Sequence, residues 1–158
     1  MINGCKVAAL CVSEIQNENT QSMIYPMYQF LLEKNWRCLI YNTATDLFRD
    51  TPFDRGEASV FQLMDFSVID AVVVYTQCLK CRAIVEDILA AASQHQVPVF
   101  LVEPTERYSS GIRITFDELD AFRDLVTHLI EHHHVTKFAC IAGFRGNPAS
   151  ETREMIFR

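Results

Sequence analysis

The chain has 158 residues, 49% of them hydrophobic and 22% charged, with five Gly and five Pro. That length suits one domain able to bury about 70% of its unfolded surface, and the composition excludes disordered, collagen-like and low-complexity classes. Lys and Arg total 14 against 20 Asp and Glu, a formal net charge of −6, and no basic run occurs, so neither nucleic-acid phosphates nor an anionic membrane is an expected partner of this chain.

In chain order, Lys6–Val12 is a short apolar run of strand length, ended by the polar stretch Ser13–Thr20. Thr20–Asn35 carries apolar residues at spacings of three and four, an amphipathic helix with Pro26 expected in its first turns, where a missing N–H is tolerated. Cys38–Tyr41 reads as a second strand and Asp54–Phe66 as a second helix. Ala71–Tyr75 (AVVVY) is a continuous apolar run, as in a parallel strand buried on both faces. Cys81–Gln96 is a third helix with Ile84, Val85, Ile88, Leu89 and Ala92 on one stripe. Val97–Val102 is a fourth strand with Pro98 at its start. Ile112–Phe116 alternates like an edge strand, Asp117–His132 is a fourth helix, Phe138–Ala142 is a sixth strand-like run, and Ala149 opens another helix.

Strands separated by helices imply right-handed βαβ crossovers. The expected fold class is α/β, doubly wound, with a mostly parallel sheet and helices on both faces. Ligands of such sheets bind outside the carboxyl ends of the strands, which singles out Ser13–Asn19, Asn42–Asp46, Thr76–Lys80, Glu103–Ser110 and Gly143–Asn147. No stretch approaches about 18 consecutive apolar residues, so no membrane-spanning helix is expected. The N-terminus lacks the tripartite pattern of a signal peptide, and a reducing, cytoplasmic setting is expected for the six cysteines.

The turn after the first strand reads SEIQNENT, with no Gly, so neither a dinucleotide fingerprint nor a P-loop is present there. Its side chains suit a polar, sugar-like ligand, or simply cap the following helix. Cys78-Leu-Lys-Cys81 is a C-x-x-C after a strand, but two further ligands for zinc are missing, and a thiol-redox role is a minor alternative. His132-His133-His134, with His128 one turn earlier, lies where the fourth helix ends. Capping and turn geometry are expected there ahead of metal binding. No G-x-S-x-G elbow occurs. Glu103 and Glu106 are expected on a solvated loop, so no catalytic residue, metal or cofactor is nominated.

The segment ITFDELDAFRDLVTHLIEHHHVTKFACIAGFRGNPASETREMIFR, residues 114–158, resembles the central stretch of the lac/galactose repressor family. Asp117, His128-Leu129-Ile130, His134, Lys137–Gly143 and Arg153 stand in register with that family's pattern, and Asn35-Trp36, Asp70–Val74 and Val97-Pro98-Val99 agree in layout. The resemblance implies a sensor core like a type I periplasmic binding protein, with residues 1–134 as its first lobe and residues 135–158 as the start of an incomplete second lobe. It implies ligand contacts from Ser13, Glu14, Asn17 and Asn19, from Thr76 and Gln77, and from Asp117 and Arg153. A homodimer controlling an output module outside the chain is likewise implied. A GGDEF-type diguanylate cyclase output is favoured slightly over a repressor core, and a flavodoxin-like cofactor-binding enzyme is the alternative from another class. Two departures stand out: His133 replaces the family's Gly before the turn His, and Asn17-Glu18-Asn19 replaces Asn-Pro-Phe, which leaves ligand identity open.

Overall fold

The computed structural model describes residues 4–47, 51–104, 106–117, 119–143 and 148–157. They form two compact units, Met1–Pro104 with Tyr108–Ile114, and Thr105–Arg107 with Thr115–Arg158.

The first unit is built on five strands: β1 (Val7–Ser13), β2 (Arg37–Thr43), β3 (Ala71–Tyr75), β4 (Val99–Val102) and β5 (Ile112–Ile114). Their order is β2-β1-β3-β4-β5, and every pairing is parallel. All seven residues of β1 are buried because β1 has a strand on each side and side chains on both faces. Edge strand β5 has all three residues exposed. Asp70 joins the starts of two strands: its carboxylate accepts from the Val7 N–H at 2.8 Å while its own N–H donates to the Val7 carbonyl at 2.8 Å.

Among its described residues this unit has three helices: α1 (Glu18–Glu33), α2 (Pro52–Ala58), which runs into a 3₁₀ turn Ser59–Leu63, and α3 (Arg82–Gln94). Ile24 of α1 packs with Leu10 and Val12 on one face of the sheet. Phe61 and Met64 after α2, and Val85, Ile88, Leu89 and Ala92 of α3, pack with Ala9, Cys11, Val72, Val74, Val99 and Leu101 on the other. The odd and even residues of one strand therefore feed two cores, as the period-2 geometry of a strand requires.

Three expectations need correction. Pro26 lies in the third turn of α1, past its first turns; it is on the exposed side, where water can reach the Ser22 carbonyl that loses its helical donor. The second helix starts earlier and is shorter than Asp54–Phe66, because Thr51 and Asp54 form a reciprocal capping box and the chain tightens to 3₁₀ at Ser59. Phe138–Ala142 is not a strand. No neighbour forms a ladder with it among the described residues, Ile141 is 99% exposed, and the Phe138 ring packs edge-on against Phe157. The second unit instead holds α4 (Leu119–Glu131) packed with α5 (Pro148–Phe157).

Gly111 sits where the chain enters β5, at φ 97°, and a Cβ there would lie 3.0 Å from Leu101 Cδ1 and 3.2 Å from Leu89 Cδ2. Gly111→Ala combines a disfavoured backbone with overpacking, and should lower stability by about 1–3 kcal/mol, read as a reduced urea midpoint at constant m.

Candidate functional site

Five parallel strands bring their carboxyl ends to one edge of the sheet, and two junctions there share one construction. Just past β1, the Glu14 N–H donates to the Thr43 carbonyl at 2.7 Å. Just past β4, the Glu103 N–H donates to the Ile114 carbonyl at 2.8 Å. Each ladder thus continues one residue beyond its strand, after which the chain turns through a left-handed glutamate, φ 49° in both cases.

The predicted ligand residues separate into two groups. Ser13 is fully buried: its hydroxyl donates to the Cys78 carbonyl at 2.7 Å, and its N–H points to Cys78 Sγ at 3.3 Å. Thr76 is also fully buried, with its hydroxyl 2.9 Å from the Val102 carbonyl and 2.8 Å from the Glu103 carbonyl. These two hydroxyls hold the loops to the sheet. Glu14, Asn17, Asn19 and Gln77, in contrast, come together around a recess of about 170 Å³, which Thr20, Asp46, Tyr75, Cys78 and Lys80 complete. Asn17 also caps α1, accepting from the Asn19 N–H at 2.9 Å, so the capping role expected of this turn is realised beside the recess. Asp117 and Arg153 belong to the second unit. Asp117 accepts from the Leu119 N–H at 3.1 Å where α4 begins, and Arg153 is an exposed residue of α5. Of the strand-end windows, residues 105 and 144–147 lie outside the described residues.

Asp46 and Lys80 close two of the strand-end windows but are not among the ligand contacts that the resemblance implies, and Tyr75 lies outside both sets. Lys80 Nζ lies 2.9 Å from Asp46 Oδ2, and the Lys80 N–H donates to the Asp46 carbonyl at 3.0 Å, locking the loop after β2 to the loop after β3. Burial, reinforced by Cys78 and Glu103, raises the Tyr75 hydroxyl above its ordinary value and keeps it a donor. A second recess of about 480 Å³ shares Glu14 and Asp46 and adds Ala44, Thr45, Thr51, Phe53 and Asp54. Carboxylate acceptors, amide groups, one ammonium and aromatic surface are the complement of a polar molecule rich in hydroxyls.

The first cysteine of the C-x-x-C is not an exposed thiol. Cys78 is buried, and desolvation raises its thiol above the ordinary value despite the hydrogen bond from Ser13. A redox nucleophile needs an accessible thiol shifted the other way.

The strand order is one that sensor lobes and flavodoxin-like proteins can both adopt, so topology alone does not separate them. Comparison with solved structures bears on the fold. A periplasmic binding protein/LacI transcriptional regulator from Alkaliphilus metalliredigens QYMF, complexed with D-xylulofuranose, aligns with TM-score 0.62 at 20% identity over 96% of this chain and 50% of its own. The fold is that of type I periplasmic-binding-protein-like lobes. An ABC transporter solute binding protein from Clostridium phytofermentans with bound β-D-glucose aligns with TM-score 0.66 at 12% identity, over 96% of this chain and 46% of its own. A LacI family regulator, CcpA, from Weissella paramesenteroides with bound sucrose gives 0.62 at 16% identity, over 96% and 53%. The chain therefore spans about half the length of these type I proteins. No protein-family model matches the sequence, and no curated protein does. Among the described residues no helix is long and apolar enough to cross a membrane.

Proposed function

We propose that the chain is a small-molecule-sensing lobe that binds a polar, polyhydroxylated ligand at the carboxyl edge of β1, β2 and β3. The observation carrying this reading is the recess itself: Glu14, Asn17, Asn19, Asp46, Gln77 and Lys80 come from three loops to one polar opening. The sugars held by the three structural neighbours support the same ligand class. Asp117 and Arg153 are proposed to contribute from beyond this sheet, Asp117 by accepting hydroxyl hydrogen bonds and Arg153 by a bidentate grip.

The recess of about 170 Å³ is by itself well below the roughly 300–1,000 Å³ that encloses a typical small ligand, and its larger neighbour shares only Glu14 and Asp46 with it. The reading therefore includes a clamp, in which residues 1–134 form a first lobe and a second lobe closes over the ligand, shifting a population between open and closed forms. A homodimer regulating an output module is part of the same proposal. The neighbours are binding proteins and transcriptional regulators, which favours a repressor-type output and lends nothing to a diguanylate cyclase.

The test is a titration of the isotope-labelled chain with D-glucose, D-xylulose and sucrose, followed through its backbone amide spectrum. At least one sugar is expected to move the Glu14, Asn17, Asn19 and Gln77 signals, with millimolar or weaker affinity. Silence from all three at high concentration, or shifts confined to another surface, would refute the site. Micromolar or tighter binding would refute the clamp.

A further inference from the structure

The histidine cluster at the end of α4 is not used by the proposed sensing site. His128 and His132 are one turn apart, and their ring centroids lie 4.8 Å apart. His133 is the unexpected member. Residues five apart on a continuous helix point about 140° away from each other, so His128 and His133 would not meet if α4 ran on. Here the helix stops at Glu131. The His132 N–H makes a last helical bond to the His128 carbonyl at 2.9 Å, His134 turns the chain at φ 53°, and the Val135 N–H folds back to the Leu129 carbonyl at 3.1 Å. That turn returns the His133 ring to His128, with centroids 4.9 Å apart and the two Nε2 atoms at 3.1 Å.

We propose that His128 and His133 are a bidentate site for a borderline divalent transition-metal ion of the Ni²⁺, Zn²⁺ or Cu²⁺ class. An ion about 2.0–2.1 Å from each nitrogen would see them at an angle of about 100°, between the roughly 90° of cis octahedral or square-planar positions and the roughly 109° of a tetrahedron. Two Nε2 atoms this close need something between them, since two bare lone pairs or two N–H groups repel. A proton on one ring does this in the metal-free chain. With both rings in the Nδ1–H form, the ion takes the proton's place and both lone pairs become ligands. No group of three or more His, Cys, Asp or Glu among the described residues closes on a metal position, so water completes the coordination. Both histidines are exposed, which leaves room for that water. The bound ion would join the last turn of α4 to its exit turn. A ligand that binds only the folded form also raises the melting temperature.

Isothermal titration of the untagged, reduced chain with Ni²⁺, paired with thermal melts, tests this. Wild type is expected to take up one ion per chain and melt higher, with both effects reversed by EDTA. His128→Ala and His133→Ala should each weaken binding by at least about tenfold, while His132→Ala changes it by less than about threefold. Far-UV circular dichroism of the metal-free variants should match wild type, because all three side chains are exposed. Equal affinity in wild type and the His128→Ala, His133→Ala double variant would overturn the proposal. A thiolate-to-metal charge-transfer band on adding Co²⁺ would also overturn it by assigning the ion to cysteine.

Discussion

Leu101→Ala is expected to lower the unfolding free energy by about 3–5 kcal/mol, the upper part of the range for a buried leucine. Leu101 is fully buried at the middle of β4, in the core that β1, β3 and β4 share with α3. A truncated side chain costs most where its surroundings cannot close in. Here Leu101 is in register with Val74 on one side and Arg113 on the other, so ladders hold the backbone in place on both flanks. Gly111 already stands against the Leu101 side chain and has no atoms of its own to fill the space. Natural domains are stable by about 5–15 kcal/mol, so this one change removes a large share and should sharply lower the urea midpoint. Leu63→Ala is the control: its side chain is 74% exposed, and a change within about 0.5 kcal/mol is expected. Equal midpoints for the two variants would refute this placement of the core.

Alkaline pH should destabilise the protein as it rises above about 9. Burial pushes the Cys11 thiol far above its ordinary 9.0, with Cys78 beside it adding to the shift. Burial also pushes Cys38 up to about 11 and raises Cys78. The folded chain then keeps protons that the unfolded chain releases above about pH 9. With fewer protons on the unfolded form, stability falls as pH rises. This contribution is complete below pH 9 and is lost progressively above it. For the fully buried Cys11 the slope approaches about 1.4 kcal/mol per pH unit, or about 1.4 kcal/mol between pH 8 and pH 10. Cys38 is only half-buried and contributes a smaller, solvent-screened share. Urea midpoints at pH 8, 9 and 10 under reducing conditions check this, and Cys11→Ala should flatten the decline. Constant stability from pH 8 to pH 10 in the wild type would refute it.

Much of the fold was legible in the residues because its signals are local. The continuous apolar run of Ala71–Tyr75 and the stripe at Val85, Ile88, Leu89 and Ala92 state the period of each element directly. Phe138–Ala142 shows the limit of such reading. It has the composition of a strand, but a strand exists only with a neighbour to pair with, and its residues do not encode that neighbour. Ser13 and Thr76 show a second limit. Each follows a buried run and looks like a polar residue presented at a strand end, yet each hydroxyl turns inward to a carbonyl 26 to 65 positions away in sequence. A buried carbonyl demands a donor, and only the packed sheet reveals which hydroxyl supplies it.

Length and composition by themselves excluded disordered and low-complexity classes and left too little positive charge to grip phosphates, and the pattern of runs and stripes determined the α/β class and nearly all of the strands and helices. Tertiary structure decided which polar side chains act together. Asp46 and Lys80 lie 34 residues apart, each in a strand-end loop that the sequence marks without pairing it to the other, and they meet because β2 and β3 flank β1 in parallel, which puts all three following loops at one edge. His128 and His133 meet because the helix between them stops. Periodicity is a property of neighbouring residues and can be read along the chain. The convergence of distant groups depends on strand order and on where the chain turns, which no local pattern carries.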